Sequence, residues 1–333
     1  MGDSYRLPGP SCPWVTNRRQ KLKSYIKKKL PTSHEEWLKN RMKGIGGSDA
    51  GAILGFNPYK SPYYLWCEKT GRIKSKEDNE SMRQGRDLED YVARRWMEAT
   101  GKKVHKSGFS YQSKEHPYML ANVDRLVVGE NAGLECKTAN ALTRTRYDKG
   151  DIPASYYAQC MHYMAVTGMD KWYIAILVLG KAFYFFEVER NEEEIEALIR
   201  EEHRFWNYVK TDQEPPVDGT DSTSDALNQV FDASEDAGSV LISDDLTSMI
   251  LELKSKQKDL QTIQKEYENQ IKDIMGDAVY AYSNHASITW KESVSKRFDT
   301  NRFKKENPDV YEKYVKESKT RRFLIKEIEE EEE

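Results

Sequence analysis

GLECKTA, residues 133–139, sets Leu134, Glu135, Cys136 and Lys137 in apolar and charged alternation. In an extended chain, residues two apart share a face, so Glu135 and Lys137 are expected on one side and Leu134 and Cys136 on the other. Upstream, Asp124 stands in ANVDRLV (121–127), and the turn-rich GENAG (129–133) can fold the first strand back on the second. That hairpin would bring two acids and an amine together. Hard divalent cations take carboxylate and carbonyl oxygens, so Asp124, Glu135 and the backbone carbonyl of Cys136 make a plausible partial shell, with Mg2+ fitting best and Mn2+ next. Lys137 would orient or deprotonate an attacking water. Charged residues also alternate on the wet face of ordinary hairpins, and these three residues alone leave both readings open.

Working outward, Ser33 and Glu36 form a capping box for a helix over 33–41, and the glycine-rich GIGGSDAGAILG (44–55) reads as a turn. Ser61-Pro62 opens a helix that Gly71 can close. A longer helix is expected from about Ser81 to Gly101, with Leu88, Val92, Trp96 and Ala99 at helical spacing. Strands are expected at 109–111, 119–128 and 134–138, a helix over 152–168, and two further strands in KWYIAILVLG and KAFYFFEVER (171–190). Glu192 to Val209 is an amphipathic helix, followed by QEPPVDGTDSTSD.

These signals divide the chain into a basic segment (1–32), a main domain (33–210), a flexible linker (211–240), a C-terminal unit (241–328) and an acidic tail (329–333). In the C-terminal unit Leu246, Leu253, Leu260, Tyr267 and Ile274 recur every seventh residue, beside Ile250, Gln257, Gln264 and Ile271. Either packing on the chain's own C-terminal segment or a coiled coil would use that seam. Beyond it, SKRFDTNRFKKENPDVYEKYVKESKTRRFLIK (295–326) mixes basic and aromatic residues, as single-strand grips do.

With 333 residues, 32% charged and a net charge of -3, whole-chain charge says little about partners. No apolar run approaches a membrane span, and the expected location is cytoplasmic. Cys12, Cys67, Cys136 and Cys160 form no CxxC pair, which disfavours zinc and a disulfide framework. His162 and His203 each stand alone on a helix and read as structural or exposed.

Five strings together, RMKGIGGSDAGAILGFNPY (41–59), QGRDLEDYVARRW (84–96), ANVDRLV, GLECKTA and YAQCMHYMAVTG (157–168), carry a likeness that spans Arg41 to Gly219. The chain resembles the YqaJ-like viral recombinases, relatives of phage lambda exonuclease in the PD-(D/E)xK nuclease superfamily. The resemblance implies an α/β (α+β) fold: a mixed sheet flanked by helices, with the C-terminal helix and small unit appended. It implies that Asp124 and Glu135 hold the metal, with Glu89 reaching the same region. Gln159 and Tyr163 match a Gln-x-x-x-Tyr element. Gln159 would contact the attacking water or the scissile phosphate, and Tyr163 would pack.

By the same likeness Arg41 and Ser48 grip the 5′-phosphate of the degraded strand, although Asp49 competes unless it points away or caps the helix. The implied activity is Mg2+-dependent 5′-to-3′ resection of linear duplex DNA ends. A homo-trimer ring and a single-strand annealing protein of the RecT or Red-beta kind are expected partners. Iron-sulfur relatives use a different cysteine spacing, so no cluster is expected. A structure-specific or restriction-like endonuclease, or an inactive DNA-binding scaffold, remain the alternatives.

Overall fold

A computed structural model describes residues 24–74, 78–143, 147–231, 238–317 and 322–328. The chain forms two compact units, one ending at Asp232 and the other beginning at Ala233. Of the expected basic segment, Arg18, Arg19, Lys21 and Lys23 lie outside the described residues, as do Cys12 and the acidic tail.

The first unit contains two sheets. One has the order β1 (Tyr25–Lys29), β4 (Phe109–Ser113), β5 (Met119–Ala121), β2 (Ile45–Gly46), with β2 parallel to β5 and the other pairs antiparallel. Lys27, Lys28 and Lys29 therefore sit on an edge strand, where their charge discourages edge-to-edge pairing. The other sheet runs β3 (Val104–His105), β6 (Arg125–Val127), β7 (Ala132–Ala139), β8 (Lys171–Val178), β9 (Ala182–Glu189). Here β7 and β8 are parallel. Parallel neighbours need a crossover, and the helix α5 (Ala154–Thr167) lies in it. This connection puts α5 against the sheet and determines where Gln159 can reach.

Helices α1 (His34–Arg41), α2 (Gly47–Ile53), α3 (Pro62–Lys69) and α4 (Glu80–Thr100) precede β3, and α6 (Glu192–Thr211) and α7 (Asp221–Val230) follow β9. Their ends carry the expected chemistry. The side chains of Ser33, Ser61 and Asn79 accept from the backbone N–H groups of Glu36, Tyr64 and Met82, and Gly101 closes α4 in the left-handed region.

Three expectations differ from the structure. The glycine-rich stretch is largely helix: Gly47–Ile53 forms α2, which lies on α5 with its glycines inward. A Cβ at Gly47 would stand 2.5 Å from the Tyr163 ring, and one at Gly51 2.8 Å from Ser155 Cβ, so two glycines one turn apart permit the close approach. Secondly, the strand expected over 119–128 breaks after Ala121, and the chain leaves one sheet for the other before resuming at Arg125. Thirdly, helix α7 occupies 221–230 inside the expected linker. Its Ser222 hydroxyl accepts from Ser61 N at 3.0 Å, Thr223 Oγ1 donates to Ser61 Oγ at 2.8 Å, and Ala226 is fully buried beside Tyr63 and Trp66. Short polar residues read as linker in sequence, but here they cap and dock a helix.

The core lies on both faces of β7 and β8. One face packs Ile174, Ile176 and Trp172 against Met161, Tyr163 and Met164 of α5. The opposite face packs Leu134, Tyr173 and Ala175 against Val92, Ala93 and Trp96 of α4. Sheet order thus sandwiches β7 between two helices, one contributing Gln159 and the other Glu89.

The second unit has a 32-residue helix α8 (Asp244–Met275), the hairpin β10 (Tyr280–Tyr282) and β11 (Ser287–Thr289), and the short helices α9 (Thr300–Glu306) and α10 (Pro308–Tyr314). Among its described residues only Met275 is buried.

Candidate active site

Alternation along β7 sorts its side chains as expected. Leu134 and Cys136 join the α4 face, while Glu135 and Lys137 turn toward α5. The β6–β7 register pairs Arg125 with Leu134, which carries Asp124 to the level of Glu135. Asp124 is anchored there because its Oδ2 accepts from Cys136 N at 2.8 Å.

On the α5 side, Glu135 Oε1 accepts from Gln159 Nε2 at 2.7 Å and lies 2.6 Å from Lys137 Nζ. Lys137 Nζ also donates to Gln159 Oε1 at 2.9 Å and stands 5.1 Å from the centre of the Tyr156 ring. Gln159 Nε2 donates in turn to the Tyr163 hydroxyl at 2.7 Å. Tyr163 is a core residue as expected, but its hydroxyl also holds the amide. The four residues are therefore brought to one place, Glu135 and Gln159 buried and Asp124 and Lys137 half-buried, and Gln159 ties the acid to the amine.

The electrostatics reflect the crowding. Burial, then the Glu135 and Glu89 carboxylates, push the Asp124 carboxyl well above the usual carboxylate range. Burial works against the Lys137 ammonium, but Glu135 and Asp124 outweigh it and raise its pKa. Burial and the same acids push the Cys136 thiol up, which disfavours its thiolate.

Glu135 Oε2 is buried without a hydrogen-bond partner. Two adjacent acids that repel one another, one buried with an unpartnered oxygen and the other half-buried, fit a hard divalent cation. Asp124 and Glu135 would hold it, with the Cys136 carbonyl able to complete that side. Glu89 is occupied differently: its Oε1 accepts from Arg125 Nη1, which also donates to the Asp124 carbonyl at 2.6 Å. Among the described residues no group of three or more His, Cys, Asp or Glu side chains is gathered for a metal; Glu89 is paired with Arg125, and its charge adds to the rise of the Asp124 carboxyl. Arg125 is a site residue that sequence reasoning missed. It is buried and bridges Glu89 and Asp90 of α4 to the Asp124 backbone, and its only signal was its place directly after Asp124.

Arg41 and Ser48 also meet, with Arg41 Nη2 donating to Ser48 Oγ at 3.2 Å and to Asp49 Oδ1 at 2.9 Å. The competing Asp49 turns inward and caps α2. Its Oδ2 accepts from Gly46 N at 3.0 Å and from Lys69 Nζ at 2.7 Å. Burial opposes its charge, yet Lys69 and Arg41 together hold the carboxyl far below the usual range. With Asp49 neutralised by Lys69, Arg41 retains a cation 31% exposed, stacked 4.9 Å over Trp37 and lining a cavity of about 500 Å³ with Lys60 and Tyr59. His162, in contrast, is structural: it is fully buried, with Nδ1 2.7 Å from Glu202 Oε1 and Nε2 2.9 Å from the Leu120 carbonyl. His203 lies on the exposed side of α6 beside Asn207. Cys67 and Cys160 are buried and unpaired, packing residues as read from sequence.

This arrangement sits within a recognisable family. The family described as the YqaJ-like viral recombinase domain matches residues 36–170, and the chain belongs to that family. Within it, the uncharacterized protein YqaJ of Bacillus subtilis (strain 168) is 39% identical over 325 residues, covering 94% of this chain and 100% of the relative. Among solved structures, the chain is similar to an alkaline exonuclease (LHK-Exo) from Laribacter hongkongensis, at 19% identity and a TM-score of 0.46 over 54% of this chain and 94% of that one. A phage-related exonuclease from Haemophilus somnus 129PT is 12% identical with a TM-score of 0.39, covering 51% and 96% of the two chains. No helix among the described residues is long and apolar enough to cross a membrane.

Proposed function

We propose that the chain is a divalent-cation-dependent DNA exonuclease that resects linear duplex ends from the 5′ side, leaving a 3′ strand for annealing recombination. The observation that carries this reading is the hydrogen-bonded quartet of buried Glu135 and Gln159 with half-buried Asp124 and Lys137, in which one Glu135 oxygen is left without a partner. A DNA-binding scaffold has no need to hold two repelling acids together beside an amine. Asp124 and Glu135 would hold Mg2+, with Mn2+ as substitute, which would offset negative charge building on the phosphate and make water more acidic. The protein's own groups do the positioning. Lys137 offers N–H donors to a phosphate oxygen or to the attacking water, and Gln159 fixes Lys137 through its Oε1 and Glu135 through its Nε2. Tyr163 and Cys136 N hold Gln159 and Asp124 from behind.

Membership in a viral recombinase family supports a place in DNA recombination, and with it a single-strand annealing protein as partner and a homo-trimer as the working form. Arg41 and Ser48 are proposed to receive the 5′-phosphate, Arg41 as a bidentate donor whose carboxylate neighbour is already capped and paired. The test is digestion of three substrates in Mg2+: linear duplex with 5′-phosphate, the same duplex with 5′-hydroxyl ends, and closed circular DNA. Fast release of nucleotides from the first, slower release from the second and an intact circle are expected. Cutting of the circle would instead establish an endonuclease, and equal rates on the two linear duplexes would remove Arg41 and Ser48 from the end-binding role.

A further inference from the structure

The second unit, taken by itself, is unfinished. Apolar groups along α8 face solvent, and a unit that buries one of its described residues lacks the core that offsets ordering its chain. On the heptad register that makes Leu246, Leu253, Leu260, Tyr267 and Ile274 the d positions, all five are more than half exposed. The a positions are Ile250, Gln257, Gln264 and Ile271. Among the described residues the chain's own C-terminal segment does not cover this seam: it meets α8 where Lys254 Nζ donates to the Ile325 carbonyl, and Phe323 and Leu324 stay exposed.

We infer that α8 pairs with α8 of a second copy of this chain, as a parallel, in-register two-stranded coiled coil. Three features select that occupant. The a and d pattern persists through four heptads, a helix about 48 Å long, with Ile at the outer a positions and Leu at three d positions, the combination that favours two strands. In the parallel register Gln257 and Gln264 each meet their own copy, so each side-chain carbonyl can accept from the partner's amide. Antiparallel pairing would set the glutamines against apolar d residues, leaving two buried amides of each copy unsatisfied. The flanking positions agree as well: Lys256 comes beside Gln261, Ile263 beside Glu268 and Met249 beside Lys254, so no like charges meet.

Cysteine cross-linking tests both partner and register. In a Cys12→Ser background, Gln257→Cys on the a seam and Thr262→Cys on the outer face would each be oxidised with copper phenanthroline. A reducible species of twice the chain mass is expected from Gln257→Cys, in several-fold excess over Thr262→Cys. Such pairs would link two of the trimers proposed above, so in light scattering of the full chain Leu253→Asp with Leu260→Asp should lower the mass of the assembly about twofold, from two linked trimers to one. Absence of the Gln257→Cys species, equal yield from Thr262→Cys, or a monomeric wild-type chain would each overturn the pairing. A monomeric chain that binds an annealing protein through α8 would give the seam to that protein instead.

Discussion

Asp49 spends both carboxylate oxygens inside the molecule, one on Arg41 and the other on Lys69 and the Gly46 N–H. Lys69 has two further bonds, to the Arg41 and Gly44 carbonyls, so its ammonium is fully used and almost wholly buried. Asp49→Asn would leave that cation without its counter-charge, a loss of about 3–5 kcal/mol. The sign with pH follows from the depressed folded-state pKa. The carboxylate's contribution is present above the unfolded value of about 3.9 and is lost as pH falls through the lower folded value. Denaturant titration should therefore find Asp49→Asn destabilised at about pH 7, with the gap to wild type closing only in acid below about pH 4. A gap that closes already between neutral pH and about pH 5 would contradict the pairing. At this scale Glu135 and Lys137 were legible because a strand's period is two, which fixes their common face without tertiary information. Arg125 was not legible. Its burial depends on two acids of α4, and contacts across 35 or more residues leave no local periodicity. Asp49's inward turn was foreseeable as one of two options, but only Lys69, on another helix, decides between them.

Helix α2 shows how an element can be misread when its constraint is tertiary. Glycine costs helix stability, so GIGGSDAG reads as a turn, yet Gly47 and Gly51 are there to let α2 lie on α5. The contact reaches the site, because the ring that Gly47 touches belongs to Tyr163, whose hydroxyl holds Gln159. Gly47→Ala should cost about 1–3 kcal/mol through overpacking and also slow nucleotide release, whereas Gly85→Ala should not destabilise. At Gly85, inside α4, the nearest atom to an added Cβ is Thr138 Oγ1 at 3.6 Å, so the gain in helix propensity is free to show. Thermal melts of both variants check this, and a Gly47→Ala protein as stable and active as wild type would refute the link. Elements with strong caps or sustained periodicity, such as α4, α6, β8 and β9, were legible in outline. The break at 122–124 and helix α7 were not, since one depends on a change of sheet and the other on docking against α3.

For the whole molecule, the first unit is a two-sheet α+β body whose parallel β7–β8 pair forces a helix across the face that bears Glu135 and Lys137. Topology, more than any single residue, makes the quartet: register brings Asp124 level with Glu135, and the crossover brings Gln159 above them. The resemblance to viral recombinases was carried by five separated strings, and four of them supply residues to this one region. The central claim is that these residues form one cation-dependent hydrolytic centre. Its most direct measurement is the rate of nucleotide release from 5′-phosphorylated linear duplex in Mg2+, for wild type and for Lys137→Ala, with circular dichroism confirming that the variant is folded. A folded variant slowed by about 10²–10⁴-fold, and a wild type silenced by chelation, is the predicted result. A folded Lys137→Ala that releases nucleotides at the wild-type rate, or a wild type indifferent to chelation, would contradict it.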